Sequence, residues 1–149
     1  MTTIQTGAPA YRVRGTTDDV TTCQQCGKPE LKGTVILAIL DADGNTEEVT
    51  YVGTTCAAKM TGRRTTGAKI RQQAVNADYR RAEAVRTAKE ILAHYAPFEA
   101  KHPIELGNAY WMANAGYFRN HPDADAVAMA RESLARHRET VATNGLSAL

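Results

Sequence analysis

The apolar positions along the chain follow two different periods. Residues 1–20 are Thr-rich and polar with little to bury, and read as a flexible arm. Thr34–Leu40 is a continuous β-branched and apolar run of strand length. Asp41-Ala42-Asp43-Gly44-Asn45 is turn chemistry. Residues 47–52 resume as a second strand, with Val49 and Tyr51 alternating against polar neighbours. Together these segments predict a β-hairpin with a five-residue loop.

Beyond residue 55 the period becomes helical. A Thr in Gly53-Thr54-Thr55 caps a short helix opening at Cys56. Gly62 and Gly67 bracket an irregular link. Over residues 68–95, Ile70, Ala74, Ala77, Val85, Ala88, Leu92 and Tyr95 recur at helical spacing, with Arg81 the one charge on the stripe. Pro97 and Pro103 are expected to end this helix. A third helix over 105–120 carries Leu106, Tyr110, Ala113 and Tyr117 in register. Trp111, Met112 and Phe118 make it apolar on other sides, so it is expected to be the most buried. After a break at His121-Pro122-Asp123, a fourth helix runs to about Thr143 with Val127, Ala130, Leu134 and Val141 on one face. His137 on that seam reads as a satisfied core histidine. The pattern is α+β: a 1–20 arm, a 21–62 module built on a two-cysteine knuckle and a β-hairpin, and a 63–149 helical bundle of about three helices.

The composition is that of an ordinary globular domain of 149 residues. No run approaches the roughly 20 apolar residues of a membrane span, and no secretory h-region is visible. Three cysteines cannot make an all-disulfide scaffold. A reducing, cytoplasmic setting is therefore expected. The net charge of +2 hides an uneven distribution. Residues 1–55 hold four basic and seven acidic groups, residues 56–89 nine and two, and residues 90–149 five and seven. A basic middle is an electrostatic footprint for an anionic partner, or a solvated helix face paired internally.

The cysteines carry the sharpest chemistry. In Cys23-Gln24-Gln25-Cys26-Gly27-Lys28, two intervening residues bring both sulfurs to one tetrahedral ion, about 2.3 Å from zinc. The hairpin would return Cys56 to the same place, at a helix start that favours a thiolate. This order of parts resembles the treble-clef class of zinc fingers: knuckle, hairpin, then a ligand opening a helix in Gly53-Thr54-Thr55-Cys56-Ala57-Ala58-Lys59. It is also similar to short zinc-finger proteins of phages and actinobacteria with C-x-x-C-G and V-G-x-x-C blocks. The resemblance covers residues 20–62. It implies a Zn2+ site on Cys23, Cys26 and Cys56, in a class that binds DNA, RNA or protein and includes nucleases. Where the class places its fourth ligand this chain has Lys59, a poor zinc ligand at neutral pH. His121, His102 or water is left for that position.

Other motifs fail. Asp41-x-Asp43-x-Asn45 lacks the Gly and bidentate Glu of a calcium loop, where Thr46 and Val52 stand. No zinc-deaminase, Walker A, G-x-G-x-x-G, H-E-x-x-H or G-x-S-x-G pattern occurs, and the chain is not expected to be an enzyme. The expectation is a structural zinc protein that binds nucleic acid through Lys59, Arg63, Arg64, Lys69, Arg71 and Arg80 in a regulatory or accessory role. The alternative is a zinc-stabilised protein-interaction module that docks a partner or a second copy through its helices.

Overall fold

The computed structural model describes residues 10–62 and 65–149. The protein is α+β: a three-stranded antiparallel sheet followed by a helical region. The strands are β1 (Ala10–Thr17), β2 (Thr34–Leu40) and β3 (Thr46–Val52), with β2 in the centre. The helices are α1 (Thr54–Thr61), α2 (Gly67–Glu99), α3 (Pro103–Ala113), α4 (Ala115–Asn120) and α5 (Ala126–Ala142), and a 3-10 turn closes the chain at Leu146–Ala148. Among the described residues no helix is long and apolar enough to cross a membrane.

The hairpin forms as its pattern predicts. Asp41 Oδ1 accepts from the backbone N–H of Asp43 and of Asn45, both at 2.9 Å, so the loop is an Asx turn. β2 is buried from Thr34 to Ala38, as a central strand covered on both faces should be.

β1 corrects the expectation of a flexible arm, since Ala10–Thr17 is a strand (residues 1–9 lie outside the described residues). A two-stranded hairpin alone is marginal in water, and β1 pairs with the open edge of β2 in the register Val13↔Leu37 and Gly15↔Ile36. Arg14 is the extra residue of a bulge, and Gly15, at φ 142°, takes a backbone geometry that other residues rarely adopt. Arg14 is only 5% exposed, and its Nη2 donates to Thr46 Oγ1. Thr16 fastens β1 to α2 by donating its N–H and hydroxyl to the Asp78 carboxylate, at 2.9 and 2.7 Å.

The chain divides into two compact units, residues 1–80 and 81–149. The first has a core of Val13, Val35, Leu37, Val52, Ala57, Ala58, Ile70 and Ala74, joined by Cys23. The second packs Tyr95, Leu106, Ala130 and Leu134 with Ile91, Leu92, Phe98 and Tyr110 around them. Ile70 and Ala74 of the α2 stripe belong to the first core, and Leu92 and Tyr95 to the second. Arg81 on that stripe is buried, and its Nε donates to the Asn144 carbonyl at 3.0 Å.

Two helix boundaries differ from the sequence pattern. Pro97 lies inside α2, which continues to Glu99. A proline this near a C-terminus forfeits one ladder bond, and the added residues bring Phe98 against the second core. The expected third helix is broken at Asn114, whose Nδ2 donates to the Tyr110 carbonyl at 2.9 Å in competition with the backbone. Nor is it the most buried helix. Only one stripe reaches the core, and Ile104, Trp111, Met112 and Tyr117 are exposed. His137 is half-buried with Nδ1 2.6 Å from the Ser133 carbonyl, a satisfied histidine.

Candidate metal centre

Cys23, Cys26 and Cys56 come together from a turn and a helix, with all three sulfurs within 4.8 Å of one another. They are free thiols, with Cys23 buried, Cys56 half-buried and Cys26 exposed. The turn is closed by Gly27 N–H donating to the Cys23 carbonyl at 2.8 Å and Cys23 N–H donating to the Lys28 carbonyl at 3.0 Å. Gly27 has φ 78°, a left-handed conformation that closes the turn with no side chain to strain it.

Gln24 ties the turn to β3, a role its sequence position did not announce. Its N–H donates to the Tyr51 carbonyl at 2.9 Å, and its Oε1 accepts from Tyr51 N–H and Thr50 Oγ1, each at 3.1 Å. The end of β3 is thereby fixed beside the turn. Two residues after Tyr51 the chain reaches Gly53, the N-cap of α1. No side chain caps this helix, so the expected Thr cap is absent. Cys56 is its third residue, in the first turn where unpaired N–H groups favour negative charge.

The electrostatics of the cluster follow from this packing. Burial acts to raise the pKa of Cys23. The backbone N–H groups of Cys26, Gly53 and Gln25, with the Cys26 side chain, outweigh it and hold the thiol down to about 6. Cys56 is pushed up to about 11 by burial, by its hydrogen bonds to Cys26 and Cys23, and by their charge. Cys23 thus ionises readily, while Cys56 beside it resists losing its proton. A cation removes that resistance, and thiolate donors select zinc or another soft metal. Sulfurs at about 2.3 Å from a tetrahedral zinc lie about 3.8 Å apart, so the spacing within 4.8 Å needs only a small contraction. The donor set therefore fits such an ion.

The remaining site residues separate into groups. Among the described residues, the metal-ligating group contains only the three cysteines. His102 Nδ1 accepts from Ile104 N–H at 3.1 Å as the N-cap of α3. His121 stacks on Tyr117 with ring centroids 4.2 Å apart. Lys59, Lys69, Arg71 and Arg80 are all exposed, while Arg63 and Arg64 lie outside the described residues. On α2, Lys69, Gln73, Asn76 and Arg80 share one flank of the buried stripe, and Arg71 stands on the other. Arg86 is paired with Glu83 and Glu90, at 2.9 and 2.7 Å. In comparisons with protein-family models, curated proteins and solved structures, nothing matches the chain.

Proposed function

We propose that this chain is a zinc-binding protein whose metal is structural and whose first unit binds nucleic acid. One observation carries the reading: three thiols from separate parts of the sequence converge where N–H groups already stabilise a thiolate. Zinc there would link the 23–27 turn to the start of α1, as a treble-clef knuckle does, with water or a group from outside the cysteine set completing the tetrahedron. Its chemistry in this reading is to hold the fold.

Lys59, Lys69, Arg71 and Arg80 offer exposed cations, and Arg63-Arg64 extend the same basic segment in the sequence. Phosphate contacts of this kind give affinity with little sequence preference and a strong salt dependence. Elemental analysis of the purified protein is expected to give one zinc per chain. Fluorescence anisotropy with duplex and single-stranded oligonucleotides is expected to show binding that weakens as salt rises. Metal-free folded protein, or no binding at about 50 mM salt, would overturn the corresponding half of the proposal.

A second reading rests on α3 and α4. Ile104 is 61% exposed and Met112 76%, with Trp111 and Tyr117 also open to solvent. An exposed apolar face of this kind suits protein docking. Light scattering that gives a dimer, together with the absence of nucleic-acid binding, would favour it.

A further inference from the structure

The first unit holds a polar cleft of about 410 Å³ between β1 and α2. Arg12 of β1 and Arg80 of α2 both line it, with Tyr11, Thr65, Gln73 and Asn76. No carboxylate lines it among the described residues. Asp78, the acidic residue of α2 nearest in sequence to Arg80, is engaged with Thr16. Neither Arg12 nor Arg80 has an ion-pair partner among the described residues.

A third guanidinium adds to this charge. Arg14 is buried, and its Nη1 has no hydrogen-bond partner among the described residues. Burial, then the charges of Arg12 and Arg80, lower its pKa, so both of those cations lie near enough to act on it. Like charges gathered without a carboxylate are unfavourable until an anion enters. Asn76 has its carbonyl oxygen occupied by Gln72 Nε2 at 3.0 Å, which leaves its amide N–H groups as donors. Two guanidinium forks, amide donors and a hydroxyl exceed what the two oxygens of a carboxylate can use. They suit the several oxygens of a phosphate.

We propose that the cleft between Arg12 and Arg80 binds a phosphate group; its source, a nucleic-acid backbone phosphate, rests on the function proposed above. Arg12 thereby joins an interface that the basic segment 56–89 does not contain. Gln73 and Asn76 orient the phosphate from the same helical flank as Arg80.

The test uses the full chain with Arg12→Gln, Arg80→Gln and, as a control in the second unit, Arg131→Gln. Probes are a labelled duplex, a labelled single strand and sodium pyrophosphate, the last followed by the side-chain amide NMR signals of Gln73 and Asn76. Each cleft variant is expected to weaken oligonucleotide binding about tenfold and to lower the salt slope by about one. Arg131→Gln should change neither. Pyrophosphate should shift the two amides in the parent protein and not in the cleft variants. Pyrophosphate binding that needs both arginines, with no oligonucleotide binding, would keep the cleft and overturn its nucleic-acid source. Oligonucleotide binding indifferent to both arginines, with unshifted amides, would overturn the cleft and leave the nucleic-acid reading standing. No binding of either probe would overturn both. Arg12→Lys and Arg80→Lys, which keep charge but lose the fork, replace any variant that fails to melt cooperatively, and are expected to retain part of the affinity.

Discussion

Replacing Cys56 with Ser isolates the contribution of the metal. Cys56 is half-buried in the first turn of α1, and Ser is close to it in size and tolerated there. In metal-free protein the substitution should change stability little. In metal-loaded protein it removes one of three ligands. An ion held at about a thousand times its Kd stabilises the folded state by about 4 kcal/mol. For a unit the size of residues 1–80, each kcal/mol moves the midpoint by about 4–8 °C. The parent protein should therefore melt about 20 °C higher with zinc than with a chelator. Cys56→Ser should melt near the chelated parent and respond weakly to chelation itself. Circular dichroism melts of the four samples complete the cycle. Trp111, the single tryptophan, stacks on Phe118 in the second unit, so its emission reports that unit and not the one that holds the cysteines. Equal melts with and without chelator would refute the reasoning. So would a Cys56→Ser protein that loses as much on chelation as the parent.

Three further outcomes follow from the same geometry. In metal-free protein the depressed pKa of Cys23 contributes stability that is complete above the ordinary thiol value of about 8.5 and is lost as pH falls through about 6; urea melts across that window should show stability rising with pH, and a flat profile would count against the N–H cage. Gly27→Ala meets nothing within 4 Å, so its cost is the left-handed backbone alone, about 1 kcal/mol; it should weaken zinc retention against a competing chelator, with Gly27→Asn between the two. Leu37→Ala empties a site with 0% exposure at the centre of the sheet and should cost about 2–5 kcal/mol, read as a shift of the urea midpoint, with a shift below 1 kcal/mol contradicting the assigned core.

The parts of the fold legible in the sequence are those set by local periodicity. The hairpin is visible because an apolar run and an Asp-rich turn adjoin. Ile70, Ala74, Ala77, Ala88 and Tyr95 of the α2 stripe are all buried. The cysteine cluster is visible because two-residue spacing brings thiols together whatever surrounds them. What escaped depends on which partner a strand edge or side chain finds. β1 is polar and carries a Gly, and only the free edge of β2 makes it a strand. Asn114 breaks a helix because its side chain finds the Tyr110 carbonyl, a choice that composition does not reveal. Gln24 looks like a spacer between two cysteines and instead joins the turn to β3.

The same dependence changes the meaning of the charge pattern. Counted along the chain, the N-terminal segment is acidic and the middle is strongly basic. Strand pairing carries Arg12 and Arg14 out of the acidic segment to the neighbourhood of Arg80. Further along α2, Glu83 and Glu90 take up Arg86. Lys69 and Arg80 lie on the cleft flank of α2, while Arg71 lies on the other side of the stripe. Arg12, Arg14 and Arg80 of the first unit thus gather where an edge strand meets one side of a helix, a grouping that a count along the sequence does not show. A rigid anion with a single face can engage the Arg12–Arg80 side without reaching Arg71. Binding energy should therefore follow position on the fold more closely than membership of the basic segment.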